Sequence, residues 1–97
     1  MAAYLMLFRY TEKGMADIKA SPDRVEALKQ TFRDKGAEIK EFYALLGRYD
    51  TAIIAEAPND ETIAGLALAI GSTGNVHTET LRAFTMDEFR EILARIP

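Results

Sequence analysis

Apolar positions along the chain change rhythm several times, and each change predicts an element. Ala3 to Tyr10 is short, rich in Leu, Tyr and Phe, and stopped by Thr11-Glu12-Lys13-Gly14, which predicts a strand. Residues 14–20 carry no clear period and leave room for a helical turn. From Ser21 the spacing lengthens: Val25, Leu28 and Phe32 fall at i, i+3 and i+7, one face of a helix. Ser21 suits its N-cap, Pro22 its first position, Asp23 the positive end of its dipole and Gly36 its C-terminal stop. Over residues 37–46 the period returns partly to two, with Ile39, Tyr43 and Leu45 on one parity and Lys40, Phe42 and Leu46 on the other. Gly47-Arg48-Tyr49-Asp50 then connects to the small and β-branched run Thr51 to Ala57, which predicts a hairpin. Pro58-Asn59-Asp60 breaks the strand and supplies a cap. Ile63, Leu66, Ala67 and Ile70 predict a second amphipathic helix, despite Gly65 inside it. Gly71-Ser72-Thr73-Gly74 reads as a loop and Asn75 to Phe84 as a fourth strand. Thr85-Met86-Asp87-Glu88 is a capping box, opening a terminal helix that carries Phe89, Leu93 and Ile96.

The resulting order, β-α-β-β-α-β with an extra helix, predicts an α+β fold: a ferredoxin-like antiparallel sheet with helices on one face. A sheet covered on one face alternates apolar with polar residues. The first strand does not. Leu5 and Leu7 lie on one parity, Tyr4, Met6 and Phe8 on the other, and Ile53 and Ile54 are adjacent in the third. Both faces of the sheet therefore need cover, and two crossover helices supply it for one. Something else must cover the other.

Three segments carry a family resemblance: Tyr4-Leu5-Met6-Leu7, then Phe42 to Asp50, then Gly74 to Phe84. Together, and in that order, they resemble the GYD-domain family, with Arg48 standing between Gly47 and the Tyr49-Asp50 pair. The resemblance runs over nearly the whole chain. It implies a single domain over residues 1–97, a dimeric α/β-barrel in which two sheets pack face to face, and no established catalytic residue.

Composition narrows the function. The 97 residues, 48% hydrophobic and 28% charged, describe an ordinary soluble domain. The absence of cysteine excludes disulfides, thiolate metal sites and cysteine nucleophiles. A formal charge of −3 argues against a nucleic-acid partner. The apolar opening stretch has no preceding basic residue and is interrupted by Arg9, so it reads neither as a signal peptide nor as a membrane span. A cytoplasmic protein is expected, with no membrane partner.

Candidate chemistry concentrates around the hairpin. Tyr43, Arg48, Tyr49 and Asp50 offer phenol, guanidinium and carboxylate groups suited to a small hydrophobic or anionic ligand, and they are also ordinary turn residues. His77, the only histidine, joins them as a ligand-binding candidate. It could act as a general base or haem ligand, but with only Glu79 on the same strand face it lacks the partners of a metal site. No metal or cofactor is expected. Glu79 and Arg82 differ in parity and should point to opposite faces. Gly71-Ser72-Thr73-Gly74 precedes a strand rather than a helix and so is not a phosphate loop. The leading expectation is a homodimeric binding or interaction module. The alternatives are a small cofactor-free enzyme of isomerase or monooxygenase type, which requires a pocket between sheet and helices, and a structural subunit of a larger assembly.

Overall fold

The computed structural model describes all 97 residues. Strands β1 (Ala2–Tyr10), β2 (Glu38–Ala44), β3 (Thr51–Ala57) and β4 (Val76–Ala83) form one antiparallel sheet in the order β2-β3-β1-β4. Between β1 and β2 the chain forms α1 (Glu12–Ala16), a 3-10 turn (Ile18–Ala20) and α2 (Ser21–Asp34). Helix α3 (Asp60–Ser72) joins β3 to β4, and α4 (Met86–Ala94) follows β4. The fold is α+β, with the ferredoxin-like strand order and the crossover helices on one face.

Local chemistry explains most boundaries. Helix α2 ends in a Schellman motif: Gly36 takes φ 75°, its N–H donates to Arg33 O, and Ala37 N–H donates to Phe32 O. Phe32 and Ala37 both enter the core, so the turn and the packing reinforce each other. Asn59 caps α3 by accepting from Thr62 N at 2.9 Å. The predicted capping box on α4 is present, with Thr85 accepting from Glu88 N and Glu88 from Thr85 N. Those bonds, the backbone N–H of Thr85 first, hold the Glu88 carboxyl below its ordinary pKa. Gly14 permits a close approach, since a Cβ there would lie 2.0 Å from Asn75 O.

Three expectations need correcting and one is sharpened. Ser21 is the first residue of α2 rather than its N-cap, which falls to Ala20 without a side-chain bond; the Ser21 hydroxyl instead meets Tyr10 Oη at 2.6 Å. The helical turn allowed for residues 14–20 is present and begins earlier, at Glu12, because Thr11 caps α1 through Gly14 N. Gly71 and Ser72 extend α3 instead of forming a loop, and the helix yields only at Thr73, before Gly74 at φ 79°. Finally, a bulge between Ile39 and Glu41 reverses the parity of β2. Ile39 and Phe42 therefore face the helices while Tyr43 does not.

The core lies between the sheet and the helices. Tyr4, Met6 and Phe8 of β1 meet Ile53, Ala55 and Ala57 of β3 under Phe32 of α2 and Ile63, Leu66 and Ile70 of α3. Tyr4 is buried and donates its hydroxyl to Asp60 Oδ1 at 2.5 Å. Desolvation first, then that bond, pushes the phenol up to about 12.

No helix covers the other face. Its cross-strand rows are Tyr43-Ala52-Leu7-Glu79 and Glu41-Ile54-Leu5-Leu81, with Arg9 beside His77 at one end. The centre of this face is apolar and its margin polar. Helix α4 is also uncovered: no residue of it is buried, and Phe89, Ile92 and Leu93 are all exposed. The molecule measures 50 × 31 × 19 Å. The radius of gyration, 14.6 Å, exceeds the roughly 12.5 Å of a compact chain this long.

Candidate functional site

Two concave sites lie on opposite faces of the sheet. On the open face a shallow depression of about 300 Å³ is lined by Leu7, Arg9, Tyr49, His77, Thr78 and Glu79. The β2–β3 hairpin builds it by turning back over the end of β1. Gly47, at φ 145°, makes that turn. Asp50 pins it: its carboxylate accepts from Tyr10 N at 2.8 Å, its own N–H donates to Phe8 O at 2.8 Å, and its carbonyl accepts from Leu45 N at 2.8 Å. Tyr49 is thereby carried across to β4, where its hydroxyl donates to Glu79 Oε2. That bond raises the Tyr49 phenol above its ordinary pKa.

The five hairpin and strand candidates thus separate. Tyr49 and His77 line one depression, with Arg48 close enough to Tyr49 to influence its ionisation. Asp50 has its carboxylate on the backbone of β1. Tyr43 stands at the far edge of the open face, in the row that ends at Glu79, about 14 Å away across three strand spacings. Arg9 joins the group unanticipated, placed beside His77 by the β1–β4 register, which residue composition does not disclose. Glu79 and Arg82 do point to opposite faces: Glu79 holds Tyr49, while Arg82 pairs with Glu88 and lies over the Phe84 ring. A guanidinium, an imidazole and a phenol–carboxylate pair can grip an anionic or hydrogen-bonding group. No three His, Asp or Glu side chains converge as a metal-binding group.

The second site is a cavity of about 260 Å³ between α2 and the sheet. Phe8, Phe42 and Ile53 form its floor, Val25 and Leu28 its roof, and Ile70 a side. Its polar end is made by Tyr10, Ser21 and Arg24. Arg24 Nη1 donates to Asp17 O at 3.1 Å and meets Asp17 Oδ2 at 3.3 Å, whereas Nη2 is buried without a partner. This is the pocket between sheet and helices that a ligand-binding or enzymatic reading requires, and it contains none of the five candidates. The signal was present: Ser21, Arg24 and Leu28 share a helical stripe, so a hydroxyl and a charge stand where core residues belong.

The hairpin that threads Gly47, Tyr49 and Asp50 into this geometry lies within a stretch, residues 4–93, that matches the pattern defining the GYD domain. The chain belongs to the GYD-domain family. Among its relatives is a Thermus thermophilus protein named "glutamine synthetase and cystathionine beta-lyase binding protein", 31% identical over 97 residues and 99% of both chains. The crystal structure of TTHA0845, also from Thermus thermophilus, aligns with a TM-score of 0.56 at 25% identity, over 88% of this chain and 95% of that one. That of FFRP-DM1 aligns with a TM-score of 0.62 at 19% identity, over 87% and 100%, which speaks for the fold alone. No helix of this GYD domain is long and apolar enough to cross a membrane.

Proposed function

We propose that this GYD domain is a homodimeric, cytoplasmic protein-interaction module whose partner is a metabolic enzyme. The observation that carries the reading is the open sheet face, where Leu5, Leu7, Ile54 and Leu81 cluster inside a polar margin. An apolar centre with a polar rim is the anatomy of a protein interface. A second copy is the occupant favoured by charge. Glu38 and Glu56 lie at one end of the sheet, with Lys40 reaching Glu56, and Arg9 and Arg48 lie near the other, beside Glu79. A face-to-face two-fold that sets unlike ends together pairs opposite charges and buries the apolar centre. The exposed stripe of α4 then packs on the neighbouring protomer.

The enzyme partner is inferred from the relative named for binding glutamine synthetase and cystathionine beta-lyase. Leu46, fully exposed at the hairpin tip beside Arg48, supplies an apolar contact outside the sheet face. In this reading Tyr43, Arg48, Tyr49 and His77 engage protein groups, and Asp50 shapes the hairpin that presents them. The test is surface plasmon resonance with glutamine synthetase and cystathionine beta-lyase of the same organism. Saturable binding to at least one, weakened by Leu46→Asp, is expected. Absence of binding to both would overturn the enzyme-partner reading.

A further inference from the structure

We propose that the cavity between α2 and the sheet binds a small apolar carboxylic acid, with Arg24 holding the carboxylate. The inference is independent of the interaction reading, because this cavity lies across the sheet from the open face. Its walls are mostly carbon, from Phe8, Phe42, Ile53, Val25 and Leu28, although Thr31, Thr51, Thr73 and Asn75 also border it. An apolar cavity of about 150 Å³ accepts a benzene ring. At about 260 Å³ this one has room for a ring or short alkyl chain together with a carboxyl group.

The polar end determines the ligand's charge. A buried donor without a partner is uncommon in folded proteins and calls for an explanation. Arg24 Nη2 is such a donor, on a side chain that lines the cavity. Asp17 occupies only Nη1 and is itself mostly exposed, which leaves Nη2 without an acceptor in the chain. The Tyr10–Ser21 hydroxyl pair, 2.6 Å apart, borders the same end and offers a further hydrogen bond. One guanidinium beside a hydroxyl pair, against mostly carbon walls, suits a monocarboxylate with an apolar body. The arrangement is an apolar pocket with a few placed polar groups, as small-molecule sites usually are.

Titration calorimetry on the unaltered chain can decide, using phenylacetate and hexanoate against phenylacetamide and hexanamide. The acids are expected to bind at least about tenfold more tightly than their amides, the weight of a charge-assisted hydrogen bond. Arg24→Gln should weaken acid binding about ten- to hundredfold and remove the acid–amide difference, while Lys29→Gln, away from the cavity, leaves both unchanged. Equal binding of acid and amide, or no binding of any probe at millimolar concentration, would overturn the proposal. The acid–amide comparison needs no variant, so a failure of Arg24→Gln to fold does not affect it.

Discussion

Tyr4 and Phe32 show how much of this small domain depends on single side chains. Phe32 is wholly buried where α2 meets the sheet and its own C-terminal turn. Phe32→Ala should cost about 3–5 kcal/mol, a large share of such a domain's stability, and lower the thermal midpoint sharply. Tyr4 makes a pH-dependent contribution. Its folded phenol is held up at about 12 against 10.0 when free, so the fold retains a proton that the unfolded chain releases. The associated stability is complete below pH 10 and is lost as pH rises toward 12. Chemical denaturation across that range should show a decline that Tyr4→Phe flattens. At neutral pH the same substitution should cost about 1.5 kcal/mol for the bond to Asp60. Phe32 was legible as a helix core position, and Tyr4 only as a strand residue, because alternation did not say which face of the first strand the helices cover. Asp50 was legible only as a polar turn residue, because its carboxylate bonds the backbone of a strand forty positions earlier. Arg24 was harder still. Its charge marks it as a surface residue, and only the position of α2 over the sheet reveals that one nitrogen is buried.

At the scale of elements, periodicity located the helices and strands well where local chemistry sets their limits. Gly36, Asn59 and the Thr85–Glu88 box all act within a few residues of themselves, so the sequence displays them. The β2 bulge is different. It inserts one residue against β3, and strict alternation cannot register that insertion, so Ile39 and Tyr43 were assigned one face and occupy two. Helix α4 marks another limit: periodicity gives it an apolar stripe but not what the stripe touches. Within one chain it touches little. If the stripe packs on a second protomer, Leu93→Asp should preserve the far-ultraviolet circular dichroism of the domain while weakening self-association at least tenfold. Unchanged association in that variant would remove α4 from the interface.

The whole molecule leaves one sheet face and one helix uncovered, and the first was visible in the sequence. Leu5 and Leu7 opposite Tyr4, Met6 and Phe8, together with adjacent Ile53 and Ile54, demand cover on both sides of the sheet. The structure supplies it on one. Which charged residues border the open face was not visible, because strand register decides it. An apolar centre of this kind is a poor surface for a lasting monomer, and obligate interfaces of the expected type bury about 2,000 Å² or more. Folding linked to association would also make the thermal midpoint rise with protein concentration. Static light scattering on the purified chain at micromolar concentration tests the central claim most directly. A mass twice the 10.8 kDa of one chain is the predicted result. A well-folded species of 10.8 kDa would contradict the account.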